Sequence, residues 1–310
     1  MVAKGFVQKE WLQNKSGFWA VLILLSIYTP ASLFIKYLSK GDQPFVFYTD
    51  TFGIAPFLVF ILAVSQMGME RGKGIVDFTL SLPYNRGAIF FIKWSMGVLA
   101  ILLSISLNFM ITLILLDTTH AEHGPLVGWY GLMLISLVML YTLTFAAGAL
   151  TGTALAQTVV AISAAILPLL VIGVTLANIS IFFQSFYFDY VNLEWIFYIT
   201  PVTYAGFFFD EPYGNIFYPL FMTVIFYFIG YFSYIKHPNE RTGSFFLWKQ
   251  LEIPIHILVI LIGILSFSVF GYIISDETIS GYVMGAVFGA VIAFFISYML
   301  IFKSAKNRLK

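Results

Sequence analysis

The chain has 310 residues, 60% hydrophobic and only 10% charged, with 16 basic against 15 acidic residues and a formal net charge of +1. A soluble domain carries about 25% charged residues, so an ordinary water-soluble fold is excluded. Basic residues dispersed along the chain argue against a nucleic-acid partner, and the absence of cysteine excludes disulfides and thiolate metal sites.

An apolar run of about 20 residues crosses the ~30 Å hydrocarbon core as a helix, which satisfies its own backbone hydrogen bonds where water is absent. Runs of this kind lie at Phe18–Ile35, Phe52–Met67, Ile89–Leu116, Trp129–Leu150, Thr158–Phe183, Ile216–Ile235, Ile255–Ile274 and Gly281–Phe302. They predict an all-α polytopic membrane protein with about eight transmembrane helices forming a single domain over residues 1–310. An even number of spans puts both termini on one side. If that side is the cytoplasm, Lys36 and Lys40 are the only two of the 16 basic residues that fall outside, as the positive-inside rule requires.

Ahead of the first span, within residues 1–17, Ala3, Phe6, Val7 and Trp11 recur at helical spacing among Lys4, Lys9 and Lys15. This pattern predicts a short amphipathic helix in the inner interface. Tyr28-Thr29-Pro30-Ala31-Ser32 is a poor cleavage site, so the first run reads as a retained span.

The stretch between the second and third runs, residues 68–87, is the most specific in the chain. Ile75, Phe78, Thr79 and Leu82 share one helical face, while Glu70, Arg71, Lys73 and Asp77 supply charges, which predicts a short helix along the cytoplasmic surface. Pro83 ends it at Leu82, Asn85 can cap the next span, and Lys93 is long enough to snorkel back to the interface. Gly72-Lys73-Gly74 lacks both the spacing and the hydroxyl of a phosphate-cradling loop, so the chain carries no recognisable nucleotide site.

The polar residues inside the spans are Ser104, Asn108, Ser163, Thr175 and Asn178, of the kind that bond neighbouring helices. No Asp, Glu, Arg or His falls near the middle of a span, which argues against a proton- or sodium-driven carrier. Asp117, His120, Glu122 and His123 share a short outer loop, from which we expect no metal site. Gly148 and Gly152 form a short small-residue ladder, and Pro168 interrupts the fifth span, where it is a candidate gate.

Residues 184–215 are aromatic and extracytoplasmic, which fits short helices at the outer interface. Residues 236–254 form a cytoplasmic loop containing Glu240 and Arg241, a candidate second contact for a partner. Gly281, Gly285 and Gly289 make a helix-packing ladder in the last span, suited to packing within one subunit or between two. No hydrolase signature such as Gly-x-Ser-x-Gly or His-Glu-x-x-His is present.

Glu70, Gly74, Leu80, Leu82, Pro83, Arg86 and Lys93, at their spacing, resemble the loop after the second span of type 2 ABC-transporter permeases. The amphipathic segment before the first span is similar to that family's elbow helix, and Tyr198-Ile199-Thr200-Pro201 to its aromatic and proline motif. The two spans after residue 236 resemble an eight-span bacterial branch whose operons carry two permease genes.

The resemblance implies a permease subunit, an exporter in a bacterial cytoplasmic membrane with both termini inside. It implies a coupling helix over 70–82 seated on a separate ATPase, with Glu70, Arg71, Lys73, Gly74, Asp77, Leu82, Pro83 and Arg86 as coupling residues. Two ATPase subunits, which bind ATP and Mg themselves, and a second permease, the same or homologous, are the implied partners; this chain is expected to bind no cofactor. A sensor or scaffold working with an ATPase in signalling or peptide resistance is the alternative.

Overall fold

The computed structural model describes residues 2–40, 53–72, 84–119, 125–183, 194–205, 216–236 and 243–303. Its helices are α1 (Val2–Lys40), α2 (Ala55–Gly72), α3 (Arg86–Thr119), α4 (Leu126–Leu150), α5 (Ala154–Phe182), α6 (Glu194–Ile199), α7 (Phe217–Ile235), α8 (Lys249–Ile274) and α9 (Ile279–Tyr298). A 3-10 turn at Pro201–Ala205 follows α6, and α9 runs on into a wider π turn at Met299–Lys303. No strand is present among the described residues, and the protein is an all-α polytopic membrane protein.

Among the described residues, seven of these helices, all but α2 and α6, are long and apolar enough to cross a membrane. The expected second span corresponds to α2. It has 18 residues, but Gln66, Glu70 and Arg71 dilute its apolar character, and it packs against α1, α3, α4 and α5. Its polar end is shielded by protein, which is where polar groups at membrane depth are tolerated.

The bundle is built around α4. Of the most apolar stretch of each helix, 78% is buried in α4 against 11% in α5 and 6% in α8, so α4 is the axis and the later helices face lipid. Ala146, Ala147, Gly148 and Ala149 let its inner end approach its neighbours closely. Helices α2, α3, α5 and α7 surround it, and α1 lies against α3.

The separate interfacial helix expected over residues 1–17 is not found as an independent element. Those residues are the first turns of α1, whose 39 residues extend about 58 Å, nearly twice the hydrocarbon thickness. Phe6 is buried while Val7 and Trp11 are exposed, so of the expected apolar face Val7 and Trp11 lie on the outside of the bundle, and Glu10, Asn14 and Phe18 complete a buried row with Phe6 at four-residue spacing.

A ladder of polar contacts joins α1 to α3. Ser26 donates to the Ser104 carbonyl at 3.2 Å, and the Asn108 amide donates to the Leu25 carbonyl and the Thr29 hydroxyl. The Asn108 oxygen accepts from the Tyr130 hydroxyl of α4 at 2.7 Å and from Thr112. Replacing Asn108 with Leu should cost about 1–2 kcal/mol, read as a lowered unfolding midpoint in detergent. Thr175→Val should leave the midpoint unchanged, since that hydroxyl bonds only its own helix at the Val171 carbonyl.

The last two helices form a tight hairpin. A methyl group on Gly285 would strike the Phe267 carbonyl, and one on Gly289 the Gly263 carbonyl, while Gly281 lies against Gly271. The ladder Gly281–Gly285–Gly289 therefore packs on α8 of the same chain. Between α7 and α8, residues 243–248 cross beneath the turn that joins α4 to α5. Gly243 N–H donates to the Gly152 carbonyl at 3.1 Å, Gly152 N–H to Phe245 at 3.3 Å, and Leu247 N–H to Leu150 at 3.0 Å. Phe245 and Phe246 of this strap are buried with Ala156 and Ile301. At Gly152 the Ser244 carbonyl leaves no room for a Cβ, so glycine is required there.

Candidate functional site: a buried charge cluster at the inner end

Three helices bring charges together at the end of the bundle where α1 and α3 begin and α2 ends. Lys93 of α3 is 1% exposed and donates to Glu10 Oε2 of α1 at 2.8 Å and to Glu70 Oε1 of α2 at 2.6 Å. Asn14 donates to the second oxygen of Glu10 at 2.8 Å, and Gln13 donates to Glu70 at 2.8 Å. Both carboxylates thus accept a charge-assisted bond and a neutral one, the condition under which buried charge is tolerated.

Arg71, also buried, lies within Coulombic reach of Glu70 and of Tyr234 on α7. Lys9, half-buried on α1, adds a third positive charge near the same two carboxylates, so Glu10 and Glu70 are surrounded by Lys93, Arg71 and Lys9.

Local helix geometry accounts for the meeting. Glu10 and Asn14 are one turn apart and face the same way, as are Gln66 and Glu70. Helix α3 begins where Asn85 caps it, its side-chain oxygen accepting from Gly87 N–H at 3.0 Å, and Lys93 follows two turns later. The Lys93 backbone is held as well: its carbonyl accepts from Gln66 at 3.4 Å and from Tyr141 of α4 at 3.4 Å, and Tyr141 bonds Gln66 at 2.6 Å. A second anchor holds α2. Gln157 of α5 is fully buried and donates to the Ala63 carbonyl at 3.2 Å and the Thr144 carbonyl at 2.9 Å. Gly68 and Gly148 leave the room its amide fills.

These positions correct two expectations. Lys93 does not snorkel to the interface, because two carboxylates within 2.8 Å are better partners than headgroup water reached by a stretched side chain. Glu70 and Arg71 do not lie on a water-facing surface helix. Helix α2 continues through Gly72, which turns both inward. Arg86 sits at the start of α3 and donates to the Ile235 carbonyl of α7 at 3.3 Å.

Lys73, Gly74, Asp77, Leu82 and Pro83, and Glu240 and Arg241, lie outside the described residues. Pro168 is half-exposed in the middle of α5. Among the described residues no group of three or more His, Asp or Glu could hold a metal.

Sequence reasoning missed Glu10, Asn14, Gln66, Tyr141 and Gln157. Phe6-x3-Glu10-x3-Asn14-x3-Phe18 was a usable signal, a strict four-residue row carrying two polar side chains. Tyr141 gave none, since its bond depends on how α4 crosses α2.

Packing and charge placement define a polytopic membrane subunit with an ion-paired inner end. No protein-family model matches the chain. Among curated proteins it is 38% identical over 326 aligned residues to "Probable ABC transporter permease YtrD" of Bacillus subtilis, covering 99% of both chains. It is 36% identical over 335 residues to "Probable ABC transporter permease YtrC" of the same organism, covering 99% of this chain and 100% of that one. The chain belongs to the ABC transporter permeases.

Removing Lys93 would leave two buried carboxylates facing each other. Lys93→Met should lower stability by about 3–5 kcal/mol, measured by thermal unfolding in detergent, while Lys15→Met on the exposed side of α1 should change it by less than about 0.5 kcal/mol.

Proposed function

We propose that the chain is the permease subunit of an ATP-driven exporter in a bacterial cytoplasmic membrane, moved by separate ATPase subunits through residues 70–82. The supporting observation is the anchorage of Glu70. The segment after Gly72 leaves from a helix end tied by Lys93 to α1 and α3, and by Gln157 to α4 and α5. A push delivered at the Glu70 end of α2 reaches five helices through these contacts.

The functional complex pairs this permease with a second one, the same or homologous, and with two ATPase subunits that bind ATP and Mg. Full-length relatives under two permease names in one organism support the homologous pairing. The cytoplasmic position of both termini rests on the basic residues of the inner loops. In this reading Lys73 and Asp77 meet the ATPase, whereas Glu70 and Arg71 hold the helix end that carries them. Residues Glu240 and Arg241 offer a second contact.

The complex isolated from native membrane with its copurifying subunits provides the test. Lys73→Glu combined with Asp77→Lys should release the ATPase subunit while leaving the unfolding midpoint unchanged, and Lys15→Glu should keep it bound. Undiminished copurification by the Lys73/Asp77 variant would contradict the reading.

A further inference from the structure

Helix α5 is held by different partners on the two sides of Pro168. Below the proline, Gln157 joins it to α2 and α4, and the Thr153 hydroxyl caps its first turn by accepting from Ala156 N–H at 3.1 Å. Above it, the hydroxyls of Thr175 and Ser180 bond back onto their own helix, at the Val171 and Ala177 carbonyls. Asn178 carries the bonds to other helices. Its amide donates to the Leu265 carbonyl of α8 at 3.1 Å, and its oxygen accepts from Ser268 of α8 at 3.0 Å and Tyr282 of α9 at 2.8 Å. The Tyr282 ring also meets Phe182 edge-on at 5.2 Å.

The hairpin is also fixed below the proline. Its base follows the strap 243–248, whose backbone bonds Leu150 and Gly152, and Phe245, Phe246 and Ile301 pack on Ala156. The α8–α9 pair therefore touches α5 on both sides of the one residue whose missing N–H removes a rung from the helix ladder. Gly173, five residues further on, has nothing within 4 Å of where a Cβ would stand, so the segment beyond the proline is not packed shut on that side.

We propose that α8–α9 is a brace that fixes the angle between the two halves of α5 on either side of Pro168: the strap holds its base to the half before the proline, and Asn178 ties its side to the half after it. Proline supplies the hinge, and the hairpin sets the angle. With the Asn178 contacts removed, the half of α5 after Pro168 samples a wider range of angles about the proline. Such a brace needs neither ATPase nor substrate, and it stands whether or not the chain is an exporter.

The absence of native cysteine makes a direct test practicable. Spin labels at Ile162 and Phe183, both exposed and on opposite sides of Pro168, report the distance across the hinge in the full-length protein reconstituted in lipid nanodiscs. Asn178→Leu should broaden that distance distribution, and Pro168→Ala in the same background should abolish the broadening. Thr175→Val should have no effect. If Asn178→Leu fails to insert, Ser268→Ala with Tyr282→Phe removes the bonds to the Asn178 oxygen from the other side and should broaden it likewise. An unchanged distribution in the variants that insert, or broadening that persists after Pro168→Ala, would overturn the proposal.

Discussion

An ammonium group held between two carboxylates, away from water, organises the inner end of this protein. Each charge would be costly to bury alone, so Lys93, Glu10 and Glu70 are mutually obligatory. Because each comes from a different helix, α1, α2 and α3 can close only in one register. Apolar packing in a membrane is a weak arbiter of register, since lipid tails solvate leucine as well as a neighbouring helix does. The cluster supplies the specificity that apolar surface cannot.

The consequences run outward from that point. Helix α2 stays helical through Gly72 because Glu70 must reach Lys93, and the segment proposed to meet an ATPase therefore starts from a fixed post. The Lys93 carbonyl, the Gln66 amide and the Tyr141 hydroxyl continue the same network into α4, the most buried helix. Gln157 does the same for α5. Stability and the proposed coupling thus share one set of contacts at one end of the bundle.

Much of this was legible in the linear chain. The helical spans and the start of α3 follow from apolar run length and from Asn85, and Glu70 and Lys93, both singled out in the linear chain, meet in the fold. What failed was the direction in which charges face. Glu70, Arg71 and Lys93 look solvent-bound in a linear reading, because their partners lie on crossing helices, as far as 83 residues away for Lys93 and Glu10. The buried row of α1 has the same origin: Val7 and Trp11 face outward as an interfacial helix would have them, but Glu10 points inward because Lys93 is there. The glycines of the hairpin were visible as a ladder, but their partners Gly263, Phe267 and Gly271 emerge only once α8 and α9 are folded together.

Whether ion pairing holds the inner end together is decided by a neutralisation series, comparing unfolding free energies of Lys93→Met alone and Lys93→Met combined with Glu10→Gln, a pairing that leaves Glu70 beside the buried Arg71. If a stranded Glu10 carboxylate is what the single change leaves behind, the double variant regains most of the lost stability. A double variant as unstable as Lys93→Met alone would mean that the cluster matters for its shape and not for its charge, which would contradict an ion-paired origin of the fold's register.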